Sequence, residues 1–577
     1  MTANQEIARL LHELATLTEL EDGSPQSFRV RAYERAARAV EGLQGDASTM
    51  TEVELTRVKG IGTSIAKKIG QYAKSGTIPK LEELRRRYPS GYVELIRLPG
   101  LGPRKLAILR ESLGVETLDD LRAVIEGRQL REIRGLGAKT EENLARSIEE
   151  LHRAGQQHRA PILQVLPLAE AVVAELRRLP QADRVEYAGS LRRFRETIGD
   201  LDIVVASHQP EPVMERFCKL AVAAKVIARG ATKSSVVTHR GMQIDLRVVE
   251  PHQLGAAMVY FTGSKAHNIA LRQRALGQGW TLNEYGLSEL ETEEVIASET
   301  EADIYQALGM QFVPPPLRED SGEVEAAARH DLPDLVSLAD IKGDLHDHTS
   351  LSGDGRDSLE EMVAAAAQRG LRYLAITDHG EDLSINGVSP EEMRKQSRRI
   401  EELQEAYPDL VILHGAELNI GLEGDLDYDD EFLMGFDWCV ASVHSYFRLD
   451  PDRQTERVVR AMRHPAVNAI GHLTGRRIGK RTGIELHLDR LLEAAAQTGT
   501  ALEVNSNLDR LDAPADVLRR AGEGVVFVIS TDAHDVAELD NLRFGVLNAQ
   551  RGWVERRAVA NTWEPDRFLD WARAKRR

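Results

Sequence analysis

The 577-residue sequence is poor in cysteine and has no apolar stretch long enough to cross a lipid bilayer. Its two cysteines, Cys218 and Cys439, form no paired-cysteine motif, which argues against both a cysteine zinc site and disulfides. The first residues lack the basic segment and cleavage site of a secretory signal. We therefore expect a cytoplasmic protein without a membrane partner. The chain is too long for one hydrophobic core, so we expect several domains.

An overall excess of basic residues is also missing, since the formal net charge is -17. The whole imbalance lies after residue 317, where 32 Lys and Arg stand against 49 Asp and Glu. Residues 1–317 hold 42 of each kind. The N-terminal part can therefore contact phosphates through local basic patches. Bound divalent cations would offset part of the negative charge that follows.

Three Gly-x-Gly motifs recur between helical stretches in the first 160 residues. The glycine pairs are Gly60 and Gly62, Gly100 and Gly102, and Gly135 and Gly137, and the cations that follow include Lys67, Lys68, Lys105 and Lys139. Such a turn leaves backbone N–H groups free at a helix N-terminus, where they can hold a phosphate oxygen. One motif alone is more often an ordinary turn. Three of them favour binding to the DNA backbone without sequence readout.

Three carboxylates indicate phosphate-transfer chemistry between residues 187 and 290. Asp200 and Asp202 are two residues apart at the start of an apolar strand, and Asp245 lies inside a second strand, "MQIDLRVV". Residues two apart on a strand project to one side. Carboxylates that converge in this way suit two Mg²⁺ or Mn²⁺ ions about 3.5–4 Å apart, which clamp an in-line displacement on a nucleoside triphosphate.

Nine metal-type side chains follow in the last 240 or so residues, almost all near the predicted ends of strands. They are His346, His348, Asp354, His379, Glu417, His444, His472, Asp532 and His534. In a barrel of alternating strands and helices, the strand C-termini converge on one open face. Scattered structural histidines would not follow strand after strand. The series predicts a metal-dependent active site at this face, with Mn²⁺, Zn²⁺ and Fe²⁺ all compatible with its mixed ligands.

The motifs before residue 316 resemble those of family X DNA polymerases. "SFRVRAYERAARAVEGL" with "VKGIGTSIAKKIGQYAKSG" resembles their amino-terminal domain, and residues 189–205, 260–264 and "TLNEYG" resemble their palm and thumb. The resemblance implies that Gly189, Ser190 and Arg193 bind the triphosphate. It also implies that Tyr260, Phe261 and Gly263 lie along the sugar, that Ser264 binds the nucleotide, that Asn268 reaches the base, and that Arg272 supports the template.

Three positions need separate treatment. In the family, the lysine at the place of Lys68 is a Schiff-base nucleophile in deoxyribose-phosphate removal, but Lys68 could equally be a phosphate contact. Gln243 stands where relatives often have an arginine, which leaves the activation of the primer 3′-hydroxyl in doubt. Lys265 stands where a relative has an acidic residue, and its charge should attract nucleotide before DNA binds.

The nine-residue series resembles the polymerase-and-histidinol-phosphatase (PHP) domain, which implies about three metal ions. By this resemblance, His346, His348, Glu417 and Asp532 hold one ion. Glu417 bridges to a second ion held by His444 and His472, while Asp354, His379 and His534 hold the third. Arg476 and Arg477 follow His472 and could either reach a DNA phosphate or form a solvated surface pair.

Together the motifs predict a multidomain α+β and α/β chain with six segments. These are an N-terminal helical domain (1–85), a second helix-hairpin-helix domain (86–160), a nucleotidyltransferase palm with a mixed sheet (161–250), a small α/β thumb (251–316), a linker (317–341) and a distorted (β/α)7 barrel (342–577).

We expect a monomeric DNA repair enzyme that fills gaps or nicks with deoxynucleoside triphosphates. The barrel would act as a 3′–5′ exonuclease, with abasic-site cleavage or 3′-phosphate removal as further activities. One alternative is a DNA-end-processing nuclease whose polymerase half mainly binds DNA. Another is a small-molecule phosphatase with an appended nucleotide-binding module.

Overall fold

The chain divides into two units, Met1–His158 and Arg159–Arg577. The computed structural model describes residues 3–22, 27–41, 43, 47–58, 60–87, 95, 103–113, 115, 120–121, 124–125, 127, 129–132, 137, 141, 144, 159–383, 385–522 and 524–576. None of the helices in these ranges is long and apolar enough to span a membrane.

The first unit is helical. Its described helices are Ala3–Asp22, Phe28–Glu41, Glu52–Arg57, Thr63–Ser75, Pro79–Arg87 and Pro103–Leu113, with a 3-10 turn at Gln129–Glu132. Gly60, at φ +106°, turns the chain between the third and fourth helices in a conformation that favours glycine. The predicted helix-hairpin-helix fold is therefore confirmed at the first motif.

The other two hairpin motifs are only partly described. Gly100, Gly102, Gly135 and Lys139 lie outside the described residues. Lys105 lies half-buried on the helix Pro103–Leu113, and Gly137 is exposed outside any helix.

The second unit begins with a five-stranded mixed sheet, as predicted. Its strands are β2 (Arg184–Tyr187), β4 (Asp200–Ala206), β5 (Ala223–Arg229), β6 (Lys233–Thr238) and β7 (Gln243–Val249), in the order β2-β4-β7-β6-β5. Only β4 and β7 are parallel neighbours. A two-stranded ribbon joins β1 (Ala160–Pro161) to β3 (Thr197–Ile198), and the helices are Ile162–Leu176, Gly189–Arg192 and Pro210–Cys218. In β7 the buried Ile244 and Leu246 alternate with Asp245 and Arg247, so the carboxylate lies on the face away from the core.

A small α/β region follows the palm sheet. It has helices Leu254–Thr262, Lys265–Gly277, Glu301–Ala307 and Glu323–Ala328, 3-10 turns at Pro251–Gln253 and Pro315–Leu317, and an antiparallel sheet of β8 (Trp280–Leu282), β9 (Leu287–Glu289) and β10 (Val295–Ala297).

The expected linker does not behave as a linker over much of its length. Leu317, Val324 and Ala327 are buried in the thumb's hydrophobic cluster, with Leu332 and Leu335 packed against it. The many charged residues of this stretch conceal an apolar face, since Val324 and Ala327 are three apart on one side of a helix. Much of residues 317–335 therefore packs with the thumb.

The C-terminal region forms a seven-stranded parallel (β/α)7 barrel, as predicted. Its strands, each paired with the next, are β11 (Gly343–Asp347), β12 (Tyr373–Ile376), β13 (Val411–Asn419), β14 (Trp438–Ser442), β15 (Ala469–Ile470), β16 (Ala501–Asn505) and β17 (Phe527–Ser530). The helices are Leu359–Gln368, Pro390–Ala406, Asp430–Leu433, Pro451–Arg463, Leu488–Thr498, Ala515–Arg520, Leu542–Arg551 and Pro565–Ala574, with short 3-10 turns at Leu338–Asp340, Ser350–Ser352, Glu538–Asn541, Arg556–Ala558 and Ala560–Thr562.

Closure of the barrel brings the first and last strands together at their C-terminal ends. The backbone N–H of Asp532 donates to the carbonyl of His346 at 2.9 Å, and that of His348 donates to the carbonyl of Ala533 at 2.8 Å. The barrel interior is filled by Leu345, Tyr373 and Trp438 among other apolar residues. Because the interior is packed, ligand chemistry is confined to the open end where the strands finish.

The palm packs directly on the barrel. Ile478, Leu508, Leu511 and Phe544 of the barrel belong to the same buried cluster as the palm core, and the Phe544 ring stacks on Phe194 with centroids 6.0 Å apart.

Two candidate active sites

The palm brings its three predicted carboxylates onto one face of two adjacent parallel strands. Asp202 is paired in register with Asp245, and Asp200 lies two residues earlier on the same side. Burial, followed by repulsion from Asp200 and Asp245, raises the pKa of Asp202 to about 7. Gln243 donates from Nε2 to Asp245 Oδ1 at 3.0 Å, so it orients the carboxylate. A buried carboxylate whose pKa is raised by two neighbouring carboxylates is typical of a site for divalent cations.

The predicted triphosphate residues lie beside these carboxylates. Gly189 starts the short helix Gly189–Arg192 at φ +60°, and a Cβ on it would lie 2.2 Å from Asp202 Oδ2. The Ser190 hydroxyl is buried and has no hydrogen-bond partner within the described ranges. Arg193 pairs through Nε with Glu319 Oε1 at 2.9 Å. An orphaned hydroxyl and an arginine beside an acidic face suit a metal-bound triphosphate.

The predicted sugar and base residues are adjacent to this phosphate side. Arg193 donates from Nη1 to the Thr262 carbonyl, and a Cβ on Gly263 would lie 3.2 Å from the same Nη1. Tyr260 and Phe261 are in edge-on contact with ring centroids 5.0 Å apart. Thr262 and Gly263 therefore lie against the Arg193 side chain.

The other residues predicted to bind nucleotide or DNA in the thumb differ in burial and in hydrogen bonding. Asn268 is buried and donates to the Tyr260 carbonyl at 2.7 Å, with its Oδ1 unsatisfied among the described residues. Arg272 lies over the Tyr260 ring at 5.4 Å. Ser264 caps the next helix by accepting from the His267 N–H at 3.2 Å, and Lys265 is exposed.

In the first unit, Lys68 is half-buried beside Tyr33. Its Nζ donates to Ser64 Oγ at 3.0 Å and lies 5.7 Å from the Tyr33 ring centroid. Burial, then the charges of Lys80 and Lys67, lower the pKa of the Lys68 amine. A lowered pKa is a property of amine nucleophiles, but it does not exclude a phosphate contact.

The barrel gathers all nine predicted metal-type side chains at its open end. Glu417 is central: its carboxylate oxygens lie 2.8 Å from His379 Nδ1, 2.9 Å from His472 Nε2 and 3.2 Å from His444 Nε2. His346 and His348 lie farther out, at 3.5 and 3.6 Å. Burial would raise the pKa of Glu417, but the surrounding histidines lower it well below its usual range.

The other two carboxylates of the series each lie close to two of the histidines. Asp532 Oδ1 lies 3.3 Å from His348 Nε2 and 3.7 Å from His346 Nε2. Asp354 Oδ2 lies 3.2 Å from His379 Nε2 and 3.6 Å from His534 Nε2.

These residues fit metal ions by their unsatisfied nitrogens. His346 Nε2 and both ring nitrogens of His348 are buried without a hydrogen-bond partner among the described residues. The ligand sets overlap more than the resemblance implied, since His348 groups with His346 and Glu417 and also with Asp354, His379 and His534. His472 and Asp532 adopt positive φ angles of 24° and 55°, a strain often found at functional sites.

Several residues at this site escaped sequence reasoning. Glu503 accepts from His346 Nδ1 at 2.7 Å, and Asn419 Oδ1 lies 2.7 Å from His444 Nδ1, so both orient predicted ligands. The signal for Glu503 was a lone acidic residue inside the apolar strand "ALEVN". Arg510, which was also missed, lines a cavity of about 200 Å³ at the cluster together with Arg477, one of the two arginines named from the sequence. The solvated-pair interpretation is wrong for Arg476, whose largely buried side chain forms an ion pair with Glu196 of the palm.

Comparison with known protein families matches four segments of the chain. Residues 2–78 match a helix-hairpin-helix domain, 92–150 a SAM-like helix-hairpin-helix tandem, 257–319 the DNA polymerase beta thumb and 344–507 the PHP domain. DNA polymerase/3′–5′ exonuclease PolX of Bacillus subtilis is 38% identical over 562 residues, which cover 96% of this chain and 97% of that protein. A probable phosphatase of Syntrophotalea carbinolica is 30% identical over 176 residues, 30% of this chain and 69% of its own.

A palm with paired carboxylates, a polymerase-beta thumb and a PHP barrel define a class, the family X DNA polymerases with a C-terminal PHP domain. Within that class, the chain belongs to the PolX family.

Proposed function

We propose that the chain fills short gaps in DNA with deoxynucleoside triphosphates and that its barrel removes nucleotides from 3′ ends. The observation that carries the proposal is the completeness of both sites. The palm carboxylates pair across β4 and β7 beside Gly189, and the barrel keeps all nine metal-type side chains around Glu417. The B. subtilis relative is named for the same two activities.

In the palm, Asp200, Asp202 and Asp245 would hold two Mg²⁺ or Mn²⁺ ions, which neutralise charge on the triphosphate. Ser190 and Arg193 would bind the phosphates, and Tyr260 through Gly263 would line the sugar. Gln243 supports this role, because its amide keeps Asp245 oriented. For that reason we favour a working polymerase over a nuclease whose palm only binds DNA.

In the barrel, the nine predicted ligands would hold about three ions of Mn²⁺, Zn²⁺ or Fe²⁺, which supply an activated water and polarise a phosphate ester. Glu503 and Asn419 would keep His346 and His444 in place. Abasic-site cleavage and 3′-phosphate removal are further activities that such a site could support. Gapped or nicked DNA as the substrate, a monomeric state and a cytoplasmic location remain predictions.

The test uses a 5′-labelled primer at a one-nucleotide gap with Mn²⁺, with and without nucleotides. The variant Asp200→Ala/Asp202→Ala should lose extension and still shorten the primer. The variant His346→Ala/His348→Ala should do the reverse. A wild-type protein that never extends the primer would make the palm a binding platform and the chain a nuclease.

A further inference from the structure

The guanidinium group of Arg510 at the barrel site has an N–H donor without a hydrogen-bond acceptor in the described part of the chain. Its side chain lines the cavity together with Glu417, His444 and Asp532, and it is only 13% exposed. Its Nε lies 3.5 Å from Asp532 Oδ2, while its buried Nη1 has no hydrogen-bond partner within the described ranges. A buried N–H without an acceptor costs free energy, and a guanidinium matches the geometry of phosphate oxygens. The missing acceptor is therefore best supplied by the substrate.

The segment that carries Arg510 is held by another arginine. Arg476 donates from Nε to the Arg510 carbonyl at 2.9 Å and from Nη2 to the Leu511 carbonyl. Its backbone N–H also donates to Asp512 Oδ2 at 3.3 Å. Leu511 adopts φ +44°, a conformation that an L-residue keeps only when its surroundings enforce it. Arg476 thus holds two successive backbone carbonyls, those of Arg510 and Leu511, directly after the Arg510 side chain.

Arg476 is in turn anchored on the palm. Its Nη2 donates to Glu196 Oε1 at 2.9 Å, and the Arg476 side chain is only 14% exposed. Glu196 lies two residues after Phe194, whose ring stacks on Phe544 of the barrel. The palm therefore contacts the barrel at Arg476, the residue that holds the Arg510 segment.

We propose that Arg510 binds the substrate phosphate at the barrel site and that Glu196 of the palm positions it through Arg476. Arg510 then touches the substrate, whereas Arg476 and Glu196 are positioning residues. The inference rests on the proposed function of the barrel site. It adds that cleavage at this site depends on a residue of the palm, which the barrel ligands alone do not imply. A residue of the polymerase half supports cleavage in the other half.

The experiment measures kcat and KM for Mn²⁺-dependent shortening of a 5′-labelled single strand, with inorganic phosphate as a competing probe. We expect Arg510→Ala to lower kcat/KM about 100-fold, the scale of one lost transition-state donor, and to weaken inhibition by phosphate. Arg510→Lys should recover part of the loss. Glu196→Gln should lower kcat/KM about 10-fold, the lower end for an outer-shell partner.

The chain offers a matched control at the same interface. Glu170 of the palm pairs with Arg543 of the barrel at 3.4 Å, with both side chains about half exposed. Glu170→Gln should leave cleavage unchanged. Gap extension and bound metal, measured for every variant, report on folding.

The decisive reading is the double variant Glu196→Gln/Arg510→Ala. If Glu196 acts through Arg510, the double variant should cleave no more slowly than Arg510→Ala alone. Full additivity, or wild-type cleavage by Glu196→Gln, would overturn the inference. The variant His346→Ala/His348→Ala is measured as a control for the barrel site. If this variant cleaves normally, the proposed barrel site itself is wrong. If it fails to cleave while Arg510→Ala cleaves normally, only the role proposed for Arg510 is wrong.

Discussion

Replacing Gly189 by alanine should separate the two proposed activities in one substitution. The residue has φ +60°, where a side chain costs about 1–2 kcal/mol. The added Cβ would also lie 2.2 Å from Asp202 Oδ2, whereas ordinary contacts begin at 3.4 Å, so the carboxylate must retreat by at least about 1.2 Å. A misplacement of about 1 Å in a catalytic group costs about 100-fold in rate. We expect gap extension to fall by about that factor while primer shortening by the barrel is unchanged.

Gly241 provides the matched control for this prediction. It lies in the same palm at φ +83°, and a Cβ there would meet nothing within 4 Å. Gly241→Ala therefore carries the backbone cost, again about 1–2 kcal/mol, without disturbing Asp202. Thermal unfolding should show similar destabilisation of both variants, while single-turnover extension should fall only in Gly189→Ala. Equal extension by the two variants would refute the argument that Gly189 leaves room for a metal-binding carboxylate.

Three further predictions concern buried or half-buried charges. Lys68→Ala should abolish borohydride trapping of the protein on a 5′-deoxyribose-phosphate end, while Lys67→Ala should keep it. In the wild-type protein, trapping should persist to lower pH than for an ordinary lysine, because the pKa of Lys68 is lowered. Equal losses in the two variants would make both residues phosphate contacts. Glu503→Gln should raise the Mn²⁺ concentration needed for primer shortening about 10–100-fold, and an unchanged titration would contradict its orienting role. Burial would raise the pKa of Glu301, but two arginines lower it to about 2, so its stabilisation should be full above pH 4.5 and lost as the pH falls towards 2. Glu301→Gln should destabilise the protein by about 3–5 kcal/mol at pH 7 by leaving Arg318 buried and unpaired, which urea unfolding would measure.

The sequence predicted the folds and the metal-type residues because their signals are local. His444 and His472 come two residues after their strands, and the alternation around Asp245 is readable within seven residues. Glu417 was expected at a strand end, but β13 continues to Asn419. Barrel strands are buried on both faces, so their sequences lack the alternation of apolar and polar residues that would mark where a strand ends.

What escaped prediction depends on contacts between distant segments. The pairing of Glu196 with Arg476 joins residues 280 apart, and no local pattern distinguishes it from a solvated surface arginine. The packing of Val324 into the thumb was hidden in the same way by the charged residues around it. The overlap of ligand sets at His348 follows from ring positions that spacing alone does not determine.

The central claim is that two separate active sites in one chain act on the same 3′ end. A 5′-labelled primer with a dideoxy-terminated 3′ end at a gap tests it most directly, because extension requires prior removal of the last nucleotide. With Mn²⁺ and all four nucleotides, neither Asp200→Ala/Asp202→Ala nor His346→Ala/His348→Ala should give full-length product alone, and a mixture of the two proteins should restore it. Full-length product from either variant alone, or a mixture that stays inactive while wild type succeeds, would contradict the account.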